Sequence, residues 1–127
     1  MIVMITNIEG IIIGSSNATK LSNFYKEKIG LKVFFEGVIG ENSNLYMMEM
    51  VGATMTIIDS LEVKGKNNQG ERIMFKFQTD DIKKEFTKLK KNGVKVVSEV
   101  YSVEDYGYLA TLSDLDGNYF QLYQAFK

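Results

Sequence analysis

The sequence predicts an α+β protein made of two βαβββ modules, and three observations support that fold class. Runs of β-branched and aromatic residues alternate with two segments of helical spacing. The same order of segments occurs in each half of the chain. A polar stretch at residues 60–71 has no helical or strand period and separates the halves as a linker. A chain of 127 residues that is 45% hydrophobic is one domain, or two small modules, with enough apolar residues for a core.

The first module, residues 1–59, is expected to begin with a buried strand, because the stretch up to Ser15 is apolar and rich in isoleucine. The segment Ser15-Ser16-Asn17 then breaks the strand and offers an N-cap for a helix. Apolar residues, including Leu21, recur at helical spacing after it, and Gly30 predicts the end of the helix.

Three further strands complete the first module. A strand is expected from Leu31, and a polar, glycine-containing loop over residues 36–44. Residues 45–51 and 53–59 predict two strands that form a hairpin around Gly52.

The second module, residues 72–127, repeats this order. Ile73, Phe75 and Phe77 occupy alternate positions, which predicts a half-buried strand. Thr79-Asp80-Asp81 is expected to cap the second helix, because acidic residues suit its first turn.

The second helix and the strands after it follow from the same signals. Ile82, Phe86 and Leu89 lie on one helical face, and the Asn-Gly pair at residues 92–93 predicts the helix end. The strands that follow are expected at residues 94–97, at 107–113 and after 117, with a loop at residues 98–106.

The closing segment DLDGNYFQLYQ predicts a tight turn followed by a strand with large side chains on both faces. Asp114 and Asp116 are able to bond their own backbone, and Gly117 tolerates a positive φ. The two halves also match each other, since GLKV follows the first helix and GVKV follows the second. This register predicts an internal duplication.

Together, the helix ending FYKEKIGLKV, the helix bounded by TDDI and NGVKV, and the closing DLDGNYFQLYQ resemble the vicinal oxygen chelate superfamily. This is the group of glyoxalases, bleomycin-resistance proteins and extradiol dioxygenases. The resemblance covers essentially the whole chain, although Leu115 stands where the family commonly has proline. It implies two curled mixed sheets around a concave cleft, with each helix on the convex side of its sheet.

The resemblance also assigns side chains to faces. Ile73, Phe75, Phe77, Phe120 and Leu122 are expected to pack beneath a helix. The concave face is expected to carry Gly10, Ile12, Thr54 and Thr56 from the first module, and Met74, Lys76, Tyr119, Gln121 and Tyr123 from the second. Loops 36–44 and 98–106 are expected to act as lids over the cleft.

Metal-dependent members of the family hold their ion mainly through His and Glu at four strand positions. By register, these positions correspond to Gly10, Thr56, Met74 and Gln121, with Glu9 as an alternative to Gly10. None of the four supplies a charged oxygen or an imidazole, and the chain has no His and no Cys. The sequence therefore predicts no metal site, no cofactor and no catalytic residue.

The leading hypothesis is a non-catalytic small-molecule-binding protein that holds an aromatic or antibiotic-like ligand. Some metal-free members of the family sequester antibiotics such as bleomycin, which is cationic. The predicted ligand-binding residues share apolar area or a polar tip. They are Tyr46, Met48, Thr56, Met74, Lys76, Tyr106, Tyr108, Tyr119, Gln121 and Tyr123.

Two alternatives belong to other functional classes. One is a metal-dependent lyase or dioxygenase of the same superfamily, with an altered site that uses Glu9, Glu49 or Gln121, or a group from a partner. The other is an interaction module whose concave face is filled by another chain.

Composition limits the partners and the compartment. The formal net charge is −1, so nucleic-acid binding is not expected. No apolar run reaches ~18 residues, so no transmembrane helix is expected, and the N-terminus does not resemble a signal peptide. The absence of Cys fits a cytoplasmic protein. A homodimer is expected because each curled sheet leaves an edge and an apolar face to cover.

Overall fold

A computed structural model describes residues 4–126 of the chain. The chain divides into two compact units, Met1–Lys64 and Gly65–Lys127, and the division falls inside the polar stretch at residues 60–71. Each unit contains one four-stranded sheet. In the described part of the chain, no helix is long and apolar enough to cross a membrane.

The first unit has the element order predicted for the first module. Its elements are β1 (Gly10–Ser15), α1 (Ala18–Phe24) with a π-helical turn (Tyr25–Ile29), β2 (Val33–Ile39), β3 (Ser43–Met50) and β4 (Ala53–Asp59). The sheet order is β1-β4-β3-β2. Strand β1 is parallel to β4, and the other pairs are antiparallel.

Both ends of the first helix are where the sequence predicts them. The Asn17 side chain accepts a hydrogen bond from Lys20 N at 3.0 Å, which satisfies one free N–H of the first turn. At the other end, Gly30 has φ of 88° and donates from its N–H to Tyr25 O at 3.0 Å. This bond spans five residues, so the helix closes with a wide π turn before the left-handed glycine ends it.

The second unit repeats the topology of the first. Its elements are β5 (Phe75–Gln78), α2 (Ile82–Lys91), β6 (Lys95–Val103), β7 (Gly107–Ser113) and β8 (Tyr119–Ala125). The sheet order is β5-β8-β7-β6, with β5 parallel to β8 and the other pairs antiparallel. Strand for strand, this is the order of the first sheet, so the predicted duplication is confirmed.

Helix α2 begins at the predicted cap and buries the predicted face. Asp81 accepts a hydrogen bond from Lys84 N at 3.1 Å. Ile82, Phe86 and Leu89 are buried, as their helical spacing requires. The helix ends at Asn92–Gly93, as predicted, because Gly93 takes a positive φ of 83°.

The β7–β8 turn is held by one buried carboxylate. The Asp114 side chain accepts from Asp116 N and Asn118 N, both at 2.9 Å, and from Asn118 Nδ2 at 3.0 Å. Gly117 N donates to Asp114 O at 3.2 Å and closes the turn. The prediction is confirmed for the Asp114 side chain and for the positive φ of Gly117, which is 85°.

In the first unit, one face of the sheet packs against α1. Tyr46 lies opposite Ile57, and Met48 lies opposite Met55, so these side chains share a face. Tyr46 belongs to the helix side because its hydroxyl lies 2.6 Å from Thr19 Oγ1 of α1. We call the opposite face of each sheet its open face.

In the second unit, the face toward α2 is identified by Gln124, whose Oε1 accepts from Ile82 N at 2.7 Å. Phe120 and Leu122 lie at alternate positions from Gln124 and are 0% and 2% exposed. Phe120 also contacts Phe75 and Phe77, with ring centroids 6.3 and 5.6 Å away. The predicted packing of Phe120 and Leu122 on the helix side is confirmed, and Phe75 and Phe77 lie on the same face, half-buried against Phe120.

The two predicted loops are wrong over most of their length. Strand β2 continues to Ile39 and β3 begins at Ser43, so only three residues of the predicted loop 36–44 form the turn. Gly37, which suggested a loop, lies within β2, where a Cβ would approach the Phe35 ring to 3.0 Å. A glycine in this strand leaves space for that ring.

The predicted loop 98–106 is likewise a strand as far as Val103. Register shifts between Val96 and Ser98, and between Ser98 and Tyr101, interrupt the alternation of side chains. Because of these irregularities, the sequence of β6 does not show the period of two residues that predicts a strand. Neither segment is a long loop that is able to serve as a lid.

Two apolar residues that were expected to be buried are exposed. Strand β1 begins only at Gly10, and Ile8 before it is 78% exposed. Within β1 only Ser15 is buried, so the prediction of a buried strand is wrong. Residues 1–3 of that prediction lie outside the described residues. Ile73 is 81% exposed and does not pack beneath α2, because β5 begins two residues later at Phe75.

Candidate functional site

A cluster of three side chains lies on the open face of the second sheet. The Tyr106 and Tyr123 rings have centroids 4.7 Å apart and planes tilted by 30°. Lys76 Nζ lies 2.6 Å from the Tyr106 hydroxyl oxygen, which accepts its hydrogen bond. The Tyr123 hydroxyl donates to the Tyr106 carbonyl oxygen at 3.2 Å. These bonds link β5, β8 and the turn before β7 around one pair of rings.

The sheet register explains how these residues meet. Lys76 lies opposite Gln121 in the parallel β5–β8 pair, and Gln121 lies opposite Thr111 in the antiparallel β7–β8 pair. Gln121 Nε2 donates to Thr111 Oγ1 at 3.1 Å, so the amide group has a fixed partner. The lysine, the amide and the hydroxyl therefore form a row across three neighbouring strands.

Tyr119 extends the same face of β8 toward the linker. A Cβ on Gly70 would come within 2.7 Å of Tyr119 Cε1 and 2.5 Å of the Gly117 carbonyl oxygen. Asn67 also binds this turn, because its Nδ2 donates to Asn118 Oδ1 at 3.1 Å. The segment before β5 is thus packed onto the β7–β8 turn and supports one end of the open face.

Five of the predicted ligand-binding residues are brought to this open face. Lys76, Tyr106 and Tyr123 are in direct contact, and Gln121 and Tyr119 lie beside them in register. Met74 precedes β5 and is 40% exposed. Thr111, which the sequence prediction missed, was identifiable only through its pairing with Gln121.

Three predicted residues lie elsewhere. Tyr46 and Met48 face α1, and Met48 is fully buried. Tyr108 lies opposite Gln124 on the α2 side, where its ring contacts Phe126 at 5.0 Å. These three are structural because a period of two residues places them on the helix-covered faces.

Thr56 is on the open face of the first sheet, as predicted. It lies opposite Ile12 of β1 and Met47 of β3, and Gly10 lies opposite Thr54 two residues earlier. Ile12 is 76% exposed, so this face includes accessible apolar surface.

The positions that correspond to the family's metal ligands do not fit a metal ion. A Cβ on Gly10 would overlap the Thr54 carbonyl oxygen, so this position has no space for any ligating side chain without a backbone shift. Thr56 and Met74 offer a neutral hydroxyl and a thioether, and the Gln121 amide already binds Thr111. Among residues 4–126, no three His, Cys, Asp or Glu side chains cluster closely enough to hold a metal.

A separate cavity of about 630 Å³ lies in the first unit, between the start of α1 and the β2–β3 turn. Asp59, which lines it, accepts from Ala18 N at 2.7 Å and from Asn44 N and Nδ2 at 3.0 and 3.1 Å. Burial raises the pKa of the Asp59 carboxyl, but these hydrogen bonds together hold it below its ordinary value. The cavity has no aromatic lining, and its carboxylate already has structural partners.

Two four-stranded sheets of the same order, each covered by one helix, define the chain as a duplicated α+β protein. Residues 7–122 match the family described as the Glyoxalase/Bleomycin resistance protein/Dioxygenase superfamily, and the chain belongs to that family. The resemblance deduced from the sequence motifs is confirmed.

Relatives with sequence or structural similarity extend this finding. The chain is 24% identical over 119 residues to the uncharacterized protein YetH of Bacillus subtilis (strain 168), covering 94% of this chain and 98% of YetH. Its structure is similar to that of TnmS3, described as an antibiotic binding protein from Streptomyces sp. CB03234. For that pair the TM-score is 0.78 at 19% identity, over 98% of this chain and 99% of TnmS3.

A second structural relative is TioX from Micromonospora sp. ML1. Its TM-score is 0.74 at 9% identity, over 95% of this chain and 100% of TioX. At these identities, the likeness to both solved structures establishes the shared fold.

Proposed function

We propose that this protein binds an organic small molecule without transforming it, and that the molecule lies on the open face of the second sheet. The observation that carries the proposal is the Tyr106–Tyr123 pair, whose rings lie 4.7 Å apart beside Lys76 and Gln121. Aromatic faces with a few fixed polar groups are typical of small-molecule sites.

The chemistry of the side chains supports binding over catalysis. The chain has no His or Cys, and the positions where metal-dependent relatives carry ligands hold Gly10, Thr56, Met74 and Gln121. The structural relative TnmS3 is described as an antibiotic binding protein, which supports an antibiotic-like ligand for this chain as well. The expected homodimer and the cytoplasmic location stay predictions.

The test is a thermal-shift screen of planar aromatic compounds, including naphthalene and anthraquinone derivatives, followed by calorimetry of each hit. A ligand at 100 times its Kd stabilises the folded protein by about 2.7 kcal/mol. We expect Tyr123→Ala to weaken binding by about tenfold, because stacking of two aromatic rings contributes on the order of 1 kcal/mol.

Tyr101→Ala is the matched control. Tyr101 lies opposite Leu109 on the same open face and is 42% exposed, but it belongs to the edge strand β6. We expect this variant to bind like the wild type. Failure of every compound to stabilise the protein contradicts the proposal, and stabilisation by nickel, zinc, manganese or iron would favour the metal-dependent alternative.

A further inference from the structure

We infer that the ligand is an aromatic acid, and that Lys76 and Tyr106 together bind its carboxylate. This inference rests on the function proposed above and names the chemical class of the molecule that occupies the same site. It is carried by the geometry of the ammonium and hydroxyl groups and by the charge of the surrounding face.

Lys76 and Tyr106 form two adjacent hydrogen-bond donors. The lysine ammonium donates one of its three hydrogens to the Tyr106 hydroxyl oxygen at 2.6 Å. Because that oxygen is the acceptor, the hydroxyl hydrogen stays available, as do two hydrogens of the ammonium. A carboxylate has two acceptor oxygens and is able to take one hydrogen bond from each group.

The ammonium lies at the edge of the tyrosine pair. Nζ is 2.6 Å from the Tyr106 oxygen but 5.0 Å from the centre of that ring and 6.0 Å from the centre of the Tyr123 ring. It therefore lies beyond the hydroxyl and does not stack centrally on a ring face. A planar ligand stacked on the tyrosines would direct an acidic substituent toward Lys76.

The ammonium has no carboxylate partner within residues 4–126. Glu104 and Asp105 are exposed in the turn that precedes Tyr106, yet neither forms an ion pair with Lys76. Glu99, on the nearby strand β6, pairs instead with Lys90 of α2 at 3.0 Å. The positive charge of Lys76 is thus left for a ligand to neutralise.

The charges on the strands of the open face agree with an anionic ligand. Register places Lys76 and Lys95 on this face of the second sheet, whereas Glu99 of β6 pairs with Lys90 of α2 on the other side. The carboxylates of Glu104 and Asp105 lie in the adjoining turn and not on the strands. The chain as a whole has a formal net charge of −1, so this face differs in sign from the average surface. Electrostatic complementarity favours an anion over a cation at such a face.

The experiment compares three naphthalene probes of one shape and different charge. Calorimetry at low salt measures the Kd of 2-naphthoate, 2-naphthamide and 2-(aminomethyl)naphthalene. We expect 2-naphthoate to bind about tenfold more tightly than the neutral amide, and the amine to bind most weakly. This preference should weaken at high salt, because the charges are partly exposed.

Lys76→Met tests the assigned contact, and Lys95→Met is its control. Both variants remove one positive charge from the same face, but only the first removes the ammonium beside Tyr106. We expect Lys76→Met to bind naphthoate and naphthamide equally. Lys95→Met should keep most of the roughly tenfold preference, because Lys95 lies opposite Ser113 and contributes only a more distant charge. Thermal unfolding of both variants verifies that each is folded.

The outcomes separate the inference from the proposed function. Equal binding of naphthoate and naphthamide by the wild-type protein overturns the inference and leaves the proposed binding function in place. A preference that survives Lys76→Met also overturns the inference. If none of the three probes binds, the inference is overturned, and the proposed function is contradicted as well when every compound of the wider aromatic screen also fails.

Discussion

Asp59 illustrates how a single side chain joins three elements of the first unit. It stands at the end of β4, yet its two carboxylate oxygens accept hydrogen bonds from the start of α1 and from Asn44 of β3. Charge-assisted bonds to backbone N–H groups stabilise the ionised carboxyl and also satisfy free donors at a helix start. Asp59, which is 41 positions from Ala18 in the sequence, therefore caps α1 together with Asn17, the N-cap residue of that helix.

The first prediction concerns Asp59→Asn. We expect the free energy of unfolding at pH 7 to fall by about 1–2 kcal/mol, because one amide oxygen replaces two charged acceptors. The folded pKa is lowered, so the ionised carboxyl stabilises the fold above the ordinary Asp value of about 3.9. This contribution is lost as the pH falls through the lower folded pKa.

Urea unfolding of the wild type and the variant between pH 7 and pH 3 measures this effect. The difference in unfolding free energy should be constant near neutral pH and shrink at the acidic end. Asp80→Asn is the control, since Asp80 is exposed and forms no hydrogen bond or ion pair with residues 4–126. A difference for Asp59→Asn that does not change with pH would contradict the role of its charge.

At the scale of an element, strand β1 shows how the space for a side chain depends on its position in the strand. It contains two glycines, and both lie opposite β4 residues in the parallel pair. At Gly10 a Cβ would overlap the Thr54 carbonyl oxygen, whereas at Gly14 the nearest atoms, in Ser60 and Val63, are 3.4 Å away. At Gly10 the β1 backbone therefore lies too close to the β4 backbone for a side chain. At Gly14 a methyl group would make only ordinary van der Waals contacts.

The second prediction compares Gly10→Ala with Gly14→Ala. We expect the first to lower the free energy of unfolding by about 1–3 kcal/mol, because the strands must separate to admit the methyl group. The second should stay within about 0.5 kcal/mol of the wild type. Thermal unfolding followed by circular dichroism distinguishes them, and equal Tm values for the two variants would refute the close β1–β4 approach.

At the scale of the whole molecule, each unit has its own buried core. In the first unit, Met48 and Met55 are fully buried against α1, and in the second unit Leu112 and Phe120 are fully buried. The open faces carry the polar and aromatic side chains described above. The face of each sheet that packs against its helix therefore carries the largest buried side chains.

The third prediction tests both cores. Met55→Ala and Leu112→Ala are each expected to lower the free energy of unfolding by about 2–5 kcal/mol, since each leaves a cavity in a packed interior. Ile12→Ala is the control, because Ile12 is on the first sheet but 76% exposed. Urea unfolding gives the comparison, and a loss for Ile12→Ala as large as that for Met55→Ala would contradict the assigned faces.

The amino-acid sequence by itself determined the two modules, the helix ends and the β7–β8 turn. Those features depend on neighbouring residues, such as the Asn17 and Asp81 caps, the left-handed Gly30 and the Asp114 carboxylate that binds its own turn. Caps and turns of this kind can be predicted from one amino-acid sequence, because they depend on residues close together in the chain.

Only the tertiary structure decided which tyrosines share a face. Tyr106 and Tyr108 are two residues apart, yet Tyr106 meets Lys76 and Tyr108 faces α2, because Tyr106 precedes β7 in a turn that departs from strand geometry. The bulges of β6 and the pairing of β5 with β8 are likewise set by contacts between distant segments. Strand register determines the face of every side chain, and it is fixed by pairing across the sheet.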